Sequence, residues 1–187
     1  MRHRHPAKSS TVLAGSLLLA HPSLRDPNFR RTVVLLSAHD EDGAMGVVLN
    51  RPLTRRLADI NGEFALGPLA GVPLFNGGPV QTQQLVLCAW QPQPAHAELQ
   101  ITFGLDPEKA TELLGQPGVK LRGFLGYAGW TGGQRERELK QNAWGVCPVT
   151  ADALAGETGE PLWRGLLGRI DHEWKLLAGE PDDPAVN

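Results

Sequence analysis

Apolar residues in this chain fall in short blocks broken by Gly, Pro, Asn and Asp, a spacing that suits strands and brief helices. Residues 12–20 are apolar enough for a first strand, and Pro22, Asp26 and Pro27 make the next stretch a loop. Residues 32–37 are a continuous β-branched and leucine run, the pattern of a strand covered on both faces. Asp40, Glu41, Asp42 and Gly43 supply a turn. Residues 44–49 form a second strand closed by Asn50, Arg51 and Pro52, so the two runs predict a β-hairpin. Folding about that turn sets Arg31 opposite residues 50–52 and leaves His39 at the far end, roughly 20 Å away at ~3.3 Å per residue.

Further along, residues 55–59 predict a short helix, with a loop after Gly62. Residues 73–75 are a brief strand running into the turn Asn76-Gly77-Gly78-Pro79. Residues 84–90 and 99–103 are strands joined by an exposed connector over 91–97. Asp106-Pro107-Glu108 opens a helix with an N-cap, a proline at the first helical position and an early acid, and Gly115 and Pro117 stop it. Residues 146–149 are a strand, and Thr150 caps a short helix through Leu154. Pro161 begins a final helix in which Trp163, Leu166, Leu167, Ile170, Trp174 and Leu177 share one core-facing stripe. Strands and helices do not alternate regularly, which points to a mixed α+β fold.

The densest candidate chemistry lies in residues 123–144. There a strand over 119–126 meets Gly126, Gly129, Gly132 and Gly133 around the only tyrosine, Tyr127, and a charged helix follows from Gln134. The strand is expected to end in these glycines. Such a turn offers unpaired backbone N–H groups at a helix N-terminus, where a phosphate or carboxylate could sit. The same glycines could instead let strand and helix pack closely around Tyr127 and Trp130, with no ligand.

At 187 residues, 41% hydrophobic, 20% charged and with a formal net charge of −2, the chain has the composition of one ordinary globular domain. Overall charge gives no reason to expect direct nucleic-acid binding. Basic residues ahead of the 12–20 run resemble a secretory signal. Gly15 and Ser16 interrupt that run, however, and Leu18 is bulky for a cleavage site, so a disordered basic leader over 1–10 is expected instead. The domain is assigned to 11–179 and a disordered tail to 180–187. No stretch approaches the roughly 20 apolar residues of a membrane span. Cys88 and Cys147 form no CxxC, and read as buried reduced thiols of a cytoplasmic protein.

Catalytic motifs are sparse. Ser37, His39 and Asp40 are the residue types of a triad. In a strand, however, Ser37 and His39 stand about 7 Å apart, and no G-x-S-x-G elbow exposes the serine. His172-Glu173 lacks the second histidine of H-E-x-x-H, so no metal site is expected. Neither a P-loop nor a G-x-G-x-x-G motif occurs, so no nucleotide cofactor is expected. Arg51, Arg55 and Arg56 offer only a small basic face.

Several segments taken together resemble the bacterial AlgH/YqgE family: Gly15-Ser16-Leu17-Leu18-Leu19-Ala20, Asp26-Pro27-Asn28-Phe29-Arg30-Arg31-Thr32-Val33-Val34, and Gly43-Ala44-Met45-Gly46. Asn50-Arg51-Pro52-Leu53, Asn76-Gly77-Gly78-Pro79-Val80 and Gly126-Tyr127-Ala128-Gly129-Trp130 complete the pattern, in order, over roughly residues 15–174. The resemblance implies a cytoplasmic single-domain α+β fold, with a mixed β-sheet curled into a partial barrel and flanked by helices. It also favours a strand over 15–20. The family name reflects a suggested role in regulating alginate production, which implies neither direct DNA binding nor a reaction.

The expected function is accordingly a non-catalytic binding or regulatory protein, touching transcription at most indirectly. Its partner would be a small anionic ligand or another protein. Candidate binding residues are Asn28, Arg31, Asn50, Arg51, Gly77, Gly78, Tyr127, Trp130 and Gln134. The polar groups would hold the ligand, the glycine amides would donate, and the aromatics would form a wall. The alternative is a small hydrolase-like enzyme using general acid–base catalysis near residues 126–138, with Glu136 or Glu138 as the base. A third possibility is that the polar residues cap strand ends and the protein acts through a protein interface.

Overall fold

Leu17, Leu18 and Leu19 are fully buried, so the strand that carries them is covered on both faces. This strand, β1 (Ser16–Ala20), pairs antiparallel with β2 (Val33–Asp40), which pairs in turn with β3 (Gly43–Val48) as the expected hairpin. The computed structural model describes residues 15–40, 42–93, 98–134, 137–138, 141, 143–156 and 158–179. The leader assigned to 1–10 and the tail at 180–187 lie outside the described residues, as does Glu136.

The remaining elements are β4 (Pro52–Arg56), α1 (Leu57–Ile60), a 3-10 turn (Gly62–Phe64), β5 (Pro73–Asn76), β6 (Val80–Gln93) and β7 (Glu98–Leu105). They continue with α2 (Pro107–Leu114), β8 (Lys120–Thr131), β9 (Trp144–Pro148), α3 (Ala151–Ala155), α4 (Gly159–Ile170) and α5 (His172–Leu177). Among the described residues nine strands form one mixed sheet in the order β4-β5-β8-β3-β2-β1-β9, with β6 on β8 and β7 on β6. The β5–β8 pair is parallel and the other pairs are antiparallel. The sheet is open and partly curled, giving the single α+β domain that the sequence and the resemblance predict.

The strand β8 corrects one expectation. It does not end at Gly126 but continues to Thr131, changing neighbours as it goes: residues 120–125 and Tyr127 pair with β6, 123–125 also with β5, and 128–131 with β3. Gly126 makes the exchange possible. It sits at φ +75, and a Cβ there would lie 2.5 Å from the Gly78 carbonyl oxygen, so only glycine fits.

Three apolar clusters hold the sheet. One face of β1–β3 buries Leu17, Leu19, Val33, Leu35 and Val47 against Trp163, Leu166 and Leu167 of α4. The other face buries Leu18, Val34, Leu36 and Val48 with Trp130 and Trp144. The third, with Leu57, Leu74, Leu87 and Leu121, packs under α2 through Ala110. Each fully buried leucine contributes about 1.5–3 kcal/mol.

Two further differences have local causes. The final helix is broken at Asp171, which turns extended (φ −152, ψ 128) and caps a new helix by accepting the Glu173 amide at 2.7 Å. The stripe therefore stops short of Leu177, which is 42% exposed. The strand β4 has mostly exposed side chains and meets β5 only at Pro52 and Arg56, so no alternation marks it in the sequence.

Candidate functional site

The open end of the β2–β3 hairpin is organised by Asn50, which is 3% exposed. Its side-chain oxygen accepts the Val33 amide at 2.9 Å, and its nitrogen donates to the carbonyls of Arg31 (3.0 Å) and Gly159 (2.8 Å). One carboxamide thus joins β3, the start of β2 and the first turn of α4. Arg31 sits at φ 54, a left-handed conformation that costs a non-glycine residue free energy and is held here by its neighbours. Its guanidinium pairs with Glu160 at 2.8 Å and lies 5.9 Å from the centre of the Trp163 ring.

Arg51 folds the preceding loop onto this end. Its Nη1 donates to the Asn28 carbonyl (2.7 Å), and its Nη2 donates to those of Pro27 (3.0 Å) and Arg30 (3.1 Å). Asp26 tightens the same loop by accepting the Asn28 amide at 2.8 Å. Between loop, hairpin and α4 opens a cleft of about 400 Å³ lined by Arg25, Arg30, Arg31 and Arg51, with Asn50 and Glu160. Among the described residues, four guanidinium groups and one carboxylate leave the lining formally +3, on a chain whose net charge is −2.

Burial disfavours ionisation of Glu160, but hydrogen bonds from Arg164 and Arg31, and their charges, outweigh it and hold its carboxyl below the usual range. It is therefore an anion at neutral pH. Burial also lowers the Arg51 pKa, opposed by the charge of Asp26. The lining offers cationic donors, and among the described residues it has neither a hydroxyl or thiol nucleophile nor an imidazole. It is suited to holding an anion.

Among the expected site residues, Arg31, Asn50 and Arg51 line this cleft, and Asn28 joins through its backbone carbonyl. The others lie elsewhere. Gly77 donates its amide to the Leu125 carbonyl and its carbonyl accepts the Val48 amide, both at 2.9 Å, while the Gly78 amide is taken by the Asn76 side chain at 3.2 Å. A Cβ on Gly77 would lie 2.2 Å from the Gly126 oxygen, so here the glycines serve close backbone packing. Tyr127 lines a different cavity. Trp130 stacks on Phe29, ring centres 6.0 Å apart, and donates to Glu138 at 2.9 Å.

Glu138 also accepts from the indole of Trp144 (2.8 Å) and from Gln134 (3.0 Å), and Gln134 itself accepts the Thr131 amide at 3.2 Å. The carboxylate expected as a base is thus bound to two tryptophans and a glutamine. Ser37 donates to the Met45 carbonyl at 3.1 Å. Among the described residues no group of three or more His, Cys, Asp or Glu side chains is placed to hold a metal ion. Cys88 and Cys147 are free and buried, as expected. No helix among the described residues is long and apolar enough to cross a membrane.

Sequence reasoning missed Arg25, Arg30 and Glu160. Glu160 precedes Pro161, where the sequence predicts the helix to begin, so its i,i+4 pair with Arg164 is not legible there; the helix starts at Gly159. Nothing local marked the approach of Glu160 to Arg31, 129 residues away.

Fold and site together define a single-domain α+β protein with an arginine-lined cleft at one end of a curled mixed sheet. The sequence profile of the AlgH-like family, DUF179, matches residues 17–175, and the chain belongs to that family. It is 42% identical over 186 residues to a UPF0301 protein of Streptomyces avermitilis, covering 94% of this chain and 95% of the relative. The solution structure of the AlgH protein from Pseudomonas aeruginosa is similar at TM-score 0.64 and 31% identity, covering 98% of this chain and 100% of that one. A crystal structure of a Corynebacterium diphtheriae protein is similar at TM-score 0.69 and 25% identity, over 96% and 95% of the two chains.

Proposed function

We propose that this chain is a non-catalytic cytoplasmic binding protein that holds a small, multiply charged anion in the cleft between the Arg25–Arg31 loop, the hairpin end and α4. The observation that carries this reading is the convergence of four arginines with a single carboxylate in a cavity of about 400 Å³, within the size range of small-ligand sites. Phosphates and carboxylates suit guanidinium groups because the planar fork of donors matches two oxygens at once. Any effect on transcription would follow from ligand occupancy, as a change in what the protein binds.

General acid–base catalysis near residues 126–138 has weaker support, because Glu138 is bound by Trp130, Trp144 and Gln134. The experiment is a thermal-shift screen of anionic metabolites with their uncharged analogues as controls. Di- and trivalent phosphates and carboxylates should raise the Tm, and the effect should shrink as salt rises from 50 to 200 mM. No stabilisation by any anion in the panel would contradict the reading.

A further inference from the structure

A second cavity, of about 440 Å³, opens where β8 passes from one set of neighbours to the other. It is lined by residues of β2, β3, β6, β7 and β8. The apolar part of its wall comes from Met45, Val47, Val86 and Phe103, with the ring of Tyr127. The polar part comes from Ser37, Gln81 and Gln84, and among the described residues no Asp, Glu, Lys or Arg lines it.

Two irregularities in the sheet meet at this place. The β2–β3 register shifts between Leu36 and Ala38, at Ser37, and the β6–β8 register shifts between Val80 and Leu85, the segment holding both glutamines. Gln81 itself is in the left-handed region at φ 46, one of two non-glycine residues so placed among the described residues. The other is Arg31 of the arginine cleft. Bulges re-aim side chains, and a non-glycine residue persists at positive φ only where its surroundings impose it. Here both devices bring neutral hydrogen-bonding groups to the rim of an apolar hollow.

We propose that this cavity is a second binding site, for an uncharged cyclic amide: a flat ring bearing adjacent N–H and C=O groups, such as a lactam, a carboxamide-bearing heterocycle or a nucleobase. The ring lies against Phe103 and Tyr127, where its apolar faces leave water. Its amide edge meets the carboxamides of Gln81 and Gln84, which each carry a donor and an acceptor and can form the paired hydrogen bonds by which glutamine recognises heterocyclic bases. A charged ligand is disfavoured because no charged group among the described lining residues compensates the loss of its hydration. Met45, Gly46 and Val47 line this cavity, whereas Asn50 lines the other, and among the described residues the two share no lining residue. The site is therefore distinct from the arginine cleft and does not depend on anion binding there.

The test is a titration followed by 1H–15N NMR, with nicotinamide and uracil as neutral probes and nicotinate as the anionic counterpart of nicotinamide. At least one neutral probe should shift the backbone amides of Ser37, Gly46, Gln84, Gly104 and Tyr127 in a saturable way. Nicotinate should bind these positions at least tenfold more weakly. Gln84→Trp and Met45→Trp, both at exposed positions, should each fill the mouth and abolish the shifts while the urea midpoint stays within error. Absence of saturable shifts with both neutral probes, nicotinate binding within tenfold of nicotinamide, or shifts that persist in either tryptophan variant would overturn the proposal.

Discussion

The Arg31 guanidinium lies 2.8 Å from the Glu160 carboxylate, joining the start of β2 to the first turn of α4 across 129 residues of sequence. The pair sits in the wall of the cleft and sets its charge, since Glu160 is the one acid against four arginines. Glu160→Gln should tighten binding of a multivalent anion roughly threefold to tenfold, the scale expected for one charge a few ångströms away in a partly solvated site. Isothermal titration with pyrophosphate checks it.

The same carboxylate gives a pH dependence with a definite sign. Because its folded-state pKa is depressed below the ordinary 4.5, the group stabilises the fold above that value and loses the contribution as pH falls through the folded pKa. The wild type should therefore lose urea stability more steeply than Glu160→Gln below about pH 4.5. The difference should be small, since the side chain is 36% exposed.

Asn50 is a structural residue in the cleft wall. Asn50→Ala removes three hydrogen bonds and leaves the Val33 amide buried without a partner, so a loss of about 2–4 kcal/mol is expected in urea unfolding. Asn50→Asp keeps the acceptor for Val33 but sets a carboxylate against two carbonyl oxygens, and should do no better than alanine.

Glu138 should behave as part of a tryptophan lock. Glu138→Ala deprives the indoles of Trp130 and Trp144 of their common acceptor and should cost about 2–3 kcal/mol, with a change in tryptophan fluorescence. Glu138→Gln retains an oxygen acceptor and should lose about half as much.

Burial pushes the Cys88 thiol up to about 12 against the opposing charge of Arg122, so at pH 8 its thiolate is roughly one part in ten thousand. Burial raises Cys147 as well, opposed by Arg169. Both thiols should resist a disulfide reagent in the native protein and react promptly in denaturant.

How far the sequence revealed this molecule depended on the range over which each feature is determined. The hairpin, the Asp106 cap of α2 and the two-sided burial of residues 33–36 follow from local pattern and were legible. The passage of β8 through Gly126 was not, because the glycine that looks like a turn is fitted to the Gly78 backbone, 48 residues earlier. The break at Asp171 was hidden because apolar spacing continues across it while the aspartate caps a new helix. In the site, Arg31, Asn50 and Arg51 were reachable from the hairpin geometry. Arg25, Arg30 and Glu160 depended on how Arg51 folds the loop and where α4 begins. Tyr127 and the Gly77-Gly78 turn went elsewhere for the same reason, since partner exchange along β8 fixes their direction.

The measurement that bears most directly on the anion-binding reading is titration of pyrophosphate into the wild type and into Arg25→Gln/Arg30→Gln, which removes two charges from the cleft and leaves the Asn50 and Arg51 side chains in place. The account predicts saturable, salt-sensitive binding by the wild type, and a loss of at least tenfold in the variant while its far-UV circular dichroism shows the fold retained. Equal affinity in the two proteins, or no binding by the wild type at low salt, would contradict it.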